Sequence, residues 1–121
     1  MIAAEDYNTW LRIAQLSNQF LYLPHRLGYY MQHNSNISQK DMSLPGRHAV
    51  LEFMGLLSEQ QKLKLEATLR YTSGQFHFLT GNFTRAKEDL LYVVKDGGVI
   101  FKINSLVYLL KLIVNRIGFL A

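Results

Sequence analysis

SEQQKLKLEATLRYTSGQFHFLTGNFTRAKEDLLYVVK, from Ser58 to Lys95, is the stretch whose reading decides the fold. Ser58 is followed three residues later by Gln61, the spacing of a capping box. There the serine side chain takes the N–H of the third helical residue and the glutamine reaches back to the cap. The helix that starts here is predicted to run to about Thr80. Gly81-Asn82 breaks the pattern, and Thr84 to Lys95 forms the next helix. Asp96-Gly97-Gly98 stops it. Small residues at Gly74, Gly81 and Ala86 let the two helices approach closely, and Phe83 plugs the base of the hairpin.

Working outward, a helix is expected over about His48 to Leu57 before this hairpin, and a last one over about Lys102 to Ile117 after it. Gln39 to Gly46 reads as a loop, because Asp41, Ser43, Pro45 and Gly46 are turn or cap formers, and a domain boundary is expected there. Towards the N-terminus, Asp6 caps a helix reaching Asn18, with apolar contacts from Trp10, Leu11, Ile13 and Ala14. Phe20-Leu21-Tyr22-Leu23, ended by Pro24, reads as a buried strand, and Leu27 to Gln32 as a second short strand. The expected fold is therefore mostly α. A short helix plus two short strands occupies residues 1–40, and a helical tail occupies residues 47–121. The hairpin resembles a single tetratricopeptide unit, in which small and aromatic residues hold such positions. Repeat arrays need about three units to bury a continuous core, and one copy is visible.

The composition is globular. Of 121 residues, 49% are hydrophobic and 18% charged, a balance that excludes a disordered chain. The absence of cysteine excludes a disulfide framework and a thiolate metal site. The formal net charge of +4 is mild. Part of it, Lys95, Lys102, Lys111 and Arg116, lies among apolar residues in the last third of the chain. This points to an anionic membrane surface more than to nucleic acid, for which no basic and aromatic interleaving exists. Leu106, Leu109, Leu110, Ile113 and Ile117 share a helical stripe that either packs on the preceding helices or lies on a leaflet. No uncharged apolar run reaches a spanning length. Met1 to Ala4 do not form a signal peptide, and the expected location is cytoplasmic, peripheral on the inner membrane face. P-loop, G-x-G-x-x-G, G-x-S-x-G and H-E-x-x-H motifs are absent.

Two further blocks carry a resemblance. Glu5-Asp6-Tyr7-Asn8-Thr9-Trp10-Leu11-Arg12 is followed by Tyr29-Tyr30-Met31-Gln32-His33-Asn34-Ser35-Asn36-Ile37-Ser38. In order and spacing they resemble the second half of a family 2 glycosyltransferase catalytic domain, which commonly reads E-D-Y-D-x-W-L-R and then Y-Y-R-x-H-x-x-N-x-S. The resemblance covers Glu5 to Ser38. It implies the C-terminal part of a GT-A type enzyme that moves a sugar, with inversion, from a nucleotide-sugar donor to a saccharide or lipid-linked acceptor. Cell-surface polysaccharide or glycolipid assembly would be the setting. It also implies a divalent metal, Mn or Mg, in the full-length context, with none bound by this chain alone. These residues lack the nucleotide-binding half with its Asp-x-Asp, so alone they are expected to be inactive.

By the same resemblance Asp6 is the catalytic base and Glu5 positions the acceptor. Trp10 offers a platform for a sugar face, Arg12 a phosphate or carboxylate contact, Ser38 a substrate hydrogen bond, and His33 a metal ligand. Asn8 stands where the family often has Asp, and Met31 where it often has Arg, which removes a second carboxylate and a phosphate contact. Without the resemblance the residues read more plainly. Asp6 is a cap helped by Glu5, Trp10 a core residue, Arg12 a partner of Glu5 or Asp6, Ser38 a loop cap and His33 structural. That alternative makes the chain a small helical interaction module with a membrane-surface helix.

Overall fold

The computed structural model describes residues 5–25, 28–29, 31 and 40–120, with side chains to residue 114. Five α-helices and one 3-10 helix make up the described secondary structure: α1 (Glu5–Leu16), α2 (Ser43–Val50), the 3-10 turn Leu51–Leu56, α3 (Glu59–Leu79), α4 (Phe83–Asp96) and α5 (Val99–Leu120). The capping box forms as read. The Ser58 hydroxyl accepts from Gln61 N–H at 3.3 Å, and Gln61 Oε1 accepts from Ser58 N–H at 2.8 Å. Asn82 caps α4 by accepting from Arg85 N–H at 3.4 Å. Gly81, at φ +82°, supplies the left-handed turn between the two helices, which a side chain would oppose.

The α3–α4 hairpin is the centre of the fold. Ala67, Leu69, Ala86, Leu90 and Val93 are buried, and Ala49, Val50 and Phe53 extend the core under α2. Gly74 permits the contact between α3 and α4: a Cβ there would lie 3.0 Å from Leu90 Cγ and 3.2 Å from Asp89 Cβ. Gly74→Leu is therefore expected to cost about 2–3 kcal/mol by overpacking, read as a lowered urea midpoint. An unchanged midpoint would show that the helices separate without cost. α5 returns beside the hairpin through an aromatic cluster. Tyr71 stands 5.1 Å from Phe101, Phe78 stands 4.9 Å from Tyr108, and Gln75 Nε2 donates to Tyr108 Oη at 2.8 Å. Burial raises the Tyr71 phenol above its usual range.

Two expectations are corrected. The strand pair, and with it the remnant of an α/β domain, is absent from the described residues, which are helical wherever they are regular. Phe20 to Leu23 run without regular structure, and all four are exposed, Leu21 and Tyr22 at 85%. Of the second predicted strand, Gly28, Tyr29 and Met31 are described and none is in a strand, while Leu27, Tyr30 and Gln32 lie outside the described residues. A strand exists only through a neighbour that takes its backbone hydrogen bonds, and an isolated pair is marginal in water. Aromatic and aliphatic content alone does not supply that neighbour. The second correction concerns the loop. Ser43 to Gly46 are helical, and α2 starts five residues before the expected His48. Pro45 is tolerated because it sits in the first turn, where its missing N–H would have no intrahelical acceptor.

Candidate functional site

α1 presents two faces. Asn8 and Arg12, one turn apart, point to the helical tail. The buried Asn8 donates from Nδ2 to the Ala49 carbonyl at 2.7 Å and to Glu52 Oε1 at 2.6 Å. Arg12 Nε donates to Asn8 Oδ1 at 2.9 Å, and Arg12 Nη2 donates to both Glu52 oxygens, at 2.7 and 2.6 Å. The Asn8 amide, followed by the Arg12 guanidinium, holds the Glu52 carboxyl below the usual carboxylate range. This clamp joins α1 to the 3-10 turn across forty residues of sequence.

Asp6, Trp10 and Ile13 lie at i, i+4 and i+7 on the opposite face, and all three are exposed, Trp10 at 60%. Glu5 stands beside them in the first turn. Asp6 lies one residue inside the helix, so it is not the N-cap, and its Oδ1 accepts from Tyr7 N–H at 2.7 Å. A carboxylate and an indole thus share a helix face that the tail leaves uncovered. Further along the chain, Leu16 and Phe20 to Leu23 are exposed as well.

The remaining predicted site residues divide. Arg12 is engaged by Glu52, not by Glu5 or Asp6, which makes it a clamp residue rather than a substrate contact in this structure. Its plain expected partner was on the same helix, and Glu52 has no local signal that identifies it. His33 and Ser38 lie outside the described residues. Among the described residues no three His, Asp or Glu gather as a metal ligand set.

A second polar centre lies between α2, α3 and α4 around an open pocket of about 290 Å³. Its floor is Asp89, fully buried, which accepts from Arg70 Nη1 at 2.8 Å and from Ser73 Oγ at 2.8 Å, with Arg85 Nε at 3.6 Å. Glu66 bridges Arg70 Nε at 3.1 Å and Arg47 Nη1 at 2.6 Å. Hydrogen bonding from Arg47, then from Arg70, lowers the Glu66 pKa, while Glu66 raises that of Arg47 and Asp89 that of Arg70. Each of the three arginines already faces a carboxylate, so this centre binds the helices to one another rather than an anion. The sequence carried one signal for it. Asp89 falls between Ala86, Leu90 and Val93 on the buried stripe of α4, where a carboxylate needs a cationic partner.

The two lowered carboxylates give a pH prediction. A folded-state pKa below the unfolded one means that the stability contributed is complete above the ordinary carboxylate range and is lost as pH falls through the folded value. The urea midpoint is therefore expected to fall on acidification below about pH 4.5. Glu52→Gln should flatten the part of that slope that reports α1. A slope identical in the variant would show that Glu52 does not titrate with folding.

Comparison with protein-family models, with curated proteins and with solved structures gave no match. Among the described residues no helix is long and apolar enough to cross a membrane.

Proposed function

We propose that this chain is the C-terminal part of an inverting glycosyltransferase of the family 2 type, acting on a nucleotide-sugar donor and a saccharide or lipid-linked acceptor. The observation that carries the reading is the division of α1. The residues of the first motif block that the tail uses, Asn8 and Arg12, face inward, while Asp6 and Trp10 share the uncovered face. A base and a sugar platform need such a face, open to a substrate and to the nucleotide-binding half that the reading requires and these residues do not supply. The exposed run of Trp10, Ile13, Leu16 and Phe20 to Leu23 offers that half an apolar surface to cover.

In the proposed reaction Asp6 takes the proton of the acceptor hydroxyl as its oxygen attacks the anomeric carbon. The bond from that carbon to the diphosphate breaks, and the nucleoside diphosphate leaves with the electron pair, inverting the centre. Glu5 orients the acceptor, and Trp10 packs on an apolar sugar face. Arg12 acts through Glu52 and Asn8, holding α1 at a fixed angle on the tail. Nucleoside diphosphate release by the full-length protein, compared with Asp6→Asn and Arg12→Lys, tests the assignment. Loss of turnover in the first variant alone supports it, and full turnover in Asp6→Asn removes Asp6 from the mechanism.

The second reading, a helical interaction module, draws on the close α3–α4 contact at Gly74. In that case a partner protein would be captured through the Tyr71 to Val94 hairpin, indifferently to Asp6→Asn.

A further inference from the structure

α5 is apolar on both its inner and its outer face. Its inner face carries the fully buried Ser105 together with Phe101, Tyr108 and Leu112, all partly or wholly covered. Its outer face is a continuous strip of branched aliphatic residues: Ile100, Ile103, Val107, Leu110 and Val114 are 45–73% exposed. Leu106 and Ile113 widen it on one side. The strip runs along most of a 22-residue helix, and a helix of that length spans about 33 Å. An aliphatic surface of this extent requires a partner.

Charge decides which partner. Lys102 borders the strip on one edge and Lys111 on the other, and no Asp or Glu occurs anywhere from Val99 to Leu120. Lys111 leans across the Tyr108 ring, its Nζ 5.6 Å from the centroid, and Lys102 Nζ donates to the Lys95 carbonyl at 2.9 Å. A second copy of this chain fits poorly. Its α5 would add further lysines and no carboxylate to pair with Lys102 and Lys111. An anionic surface satisfies both lysines at once. Among the described residues no helix is long and apolar enough to cross a membrane. The outer strip of α5 with its basic edges is instead the pattern of a helix that lies in the interface plane.

We propose that the outer face of α5 is a peripheral membrane-binding surface, with Ile103, Val107, Leu110 and Val114 inserted at the headgroup boundary and Lys102 and Lys111 held against anionic lipid phosphates. The inference is independent of the transferase reading and keeps its force if that reading fails.

Co-sedimentation of the chain with vesicles tests it. Vesicles containing about one-third phosphatidylglycerol in phosphatidylcholine are expected to bind the protein at least about tenfold more tightly than pure phosphatidylcholine vesicles, with the difference reduced by high salt. Lys102→Gln with Lys111→Gln should weaken binding to the anionic vesicles on the order of tenfold. Leu110→Asp should abolish binding while circular dichroism keeps the helical signal, since this side chain is 61% exposed and makes little of the core. Binding that ignores lipid charge and both lysines overturns the proposal. So does an absence of vesicle binding, or a concentration-dependent dimer that Leu110→Asp dissociates, which would assign the strip to a second copy.

Discussion

Replacing Asp6 by Asn in the full-length protein is expected, on the proposed transferase reading, to lower kcat by about 10²–10⁴-fold with little change in KM. The size follows from the task. A general base contributes only in the transition state, where the acceptor proton is in transit, so its removal leaves ground-state binding intact. Asn is isosteric and keeps an oxygen that accepts from Tyr7 N–H, as the Asp6 carboxylate does in α1. The helix should therefore persist, and a stability measurement on the variant separates lost chemistry from lost fold. Arg12 provides the contrast. Arg12→Ala breaks the pair with Glu52 and leaves Asn8 to hold it alone. Its effect belongs in the stability of the α1 attachment and only through that in rate. Nucleoside diphosphate release at saturating and limiting donor distinguishes the two. A wild-type kcat in Asp6→Asn would return Asp6 to the role of a helix-dipole partner.

The largest stability effect is expected at Asp89. Asp89→Ala should cost about 3 kcal/mol, read from the urea midpoint at constant m-value. Both carboxylate oxygens are used, one by Arg70 and one by Ser73, and the side chain is fully buried. Removing one member of a buried charged pair leaves the other without compensation, typically about 3–5 kcal/mol. Arg70 and Arg85 have side chains 36% and 54% exposed and regain water, which places the effect at the lower end. In an Arg70→Met background the same substitution should cost less, and the difference measures the coupling across the hairpin. A single-variant loss below about 0.5 kcal/mol would show that solvent already screens the pair.

Local rules made much of the helical part legible. Ser58 with Gln61, Asn82 after Gly81, and Gly97 after Asp96 each act through hydrogen bonds three to five residues long. The sequence displays such bonds directly, and α3 and α4 begin and end within a residue or two of their expected bounds. Gly97 adds its own reason: a Cβ there would come 2.5 Å from the Val93 carbonyl oxygen. α2 was misplaced because Pro45 and Gly46 were given their usual value as breakers, when the first turn of a helix accommodates both. Of the candidate site, Trp10 falls on the expected helix but is exposed rather than in the core, and Glu5 and Asp6 lie inside that helix rather than capping it. The inward turn of Arg12 was not legible, because its partner Glu52 lies forty residues away and no short-range pattern connects them.

What the sequence determined by itself was the helical hairpin, its caps and its breaks, together with the residue types of the first motif block. The tertiary structure alone decided which face of α1 the tail covers, that Phe20 to Leu23 stay exposed, and that α5 turns its aliphatic strip outward. The physical reason is range. Capping, helix periodicity and glycine freedom are properties of a few neighbouring residues. Burial, ladder pairing and ion pairing depend on what a distant segment brings to the same place, and the choice of face on a helix is settled only when that segment arrives.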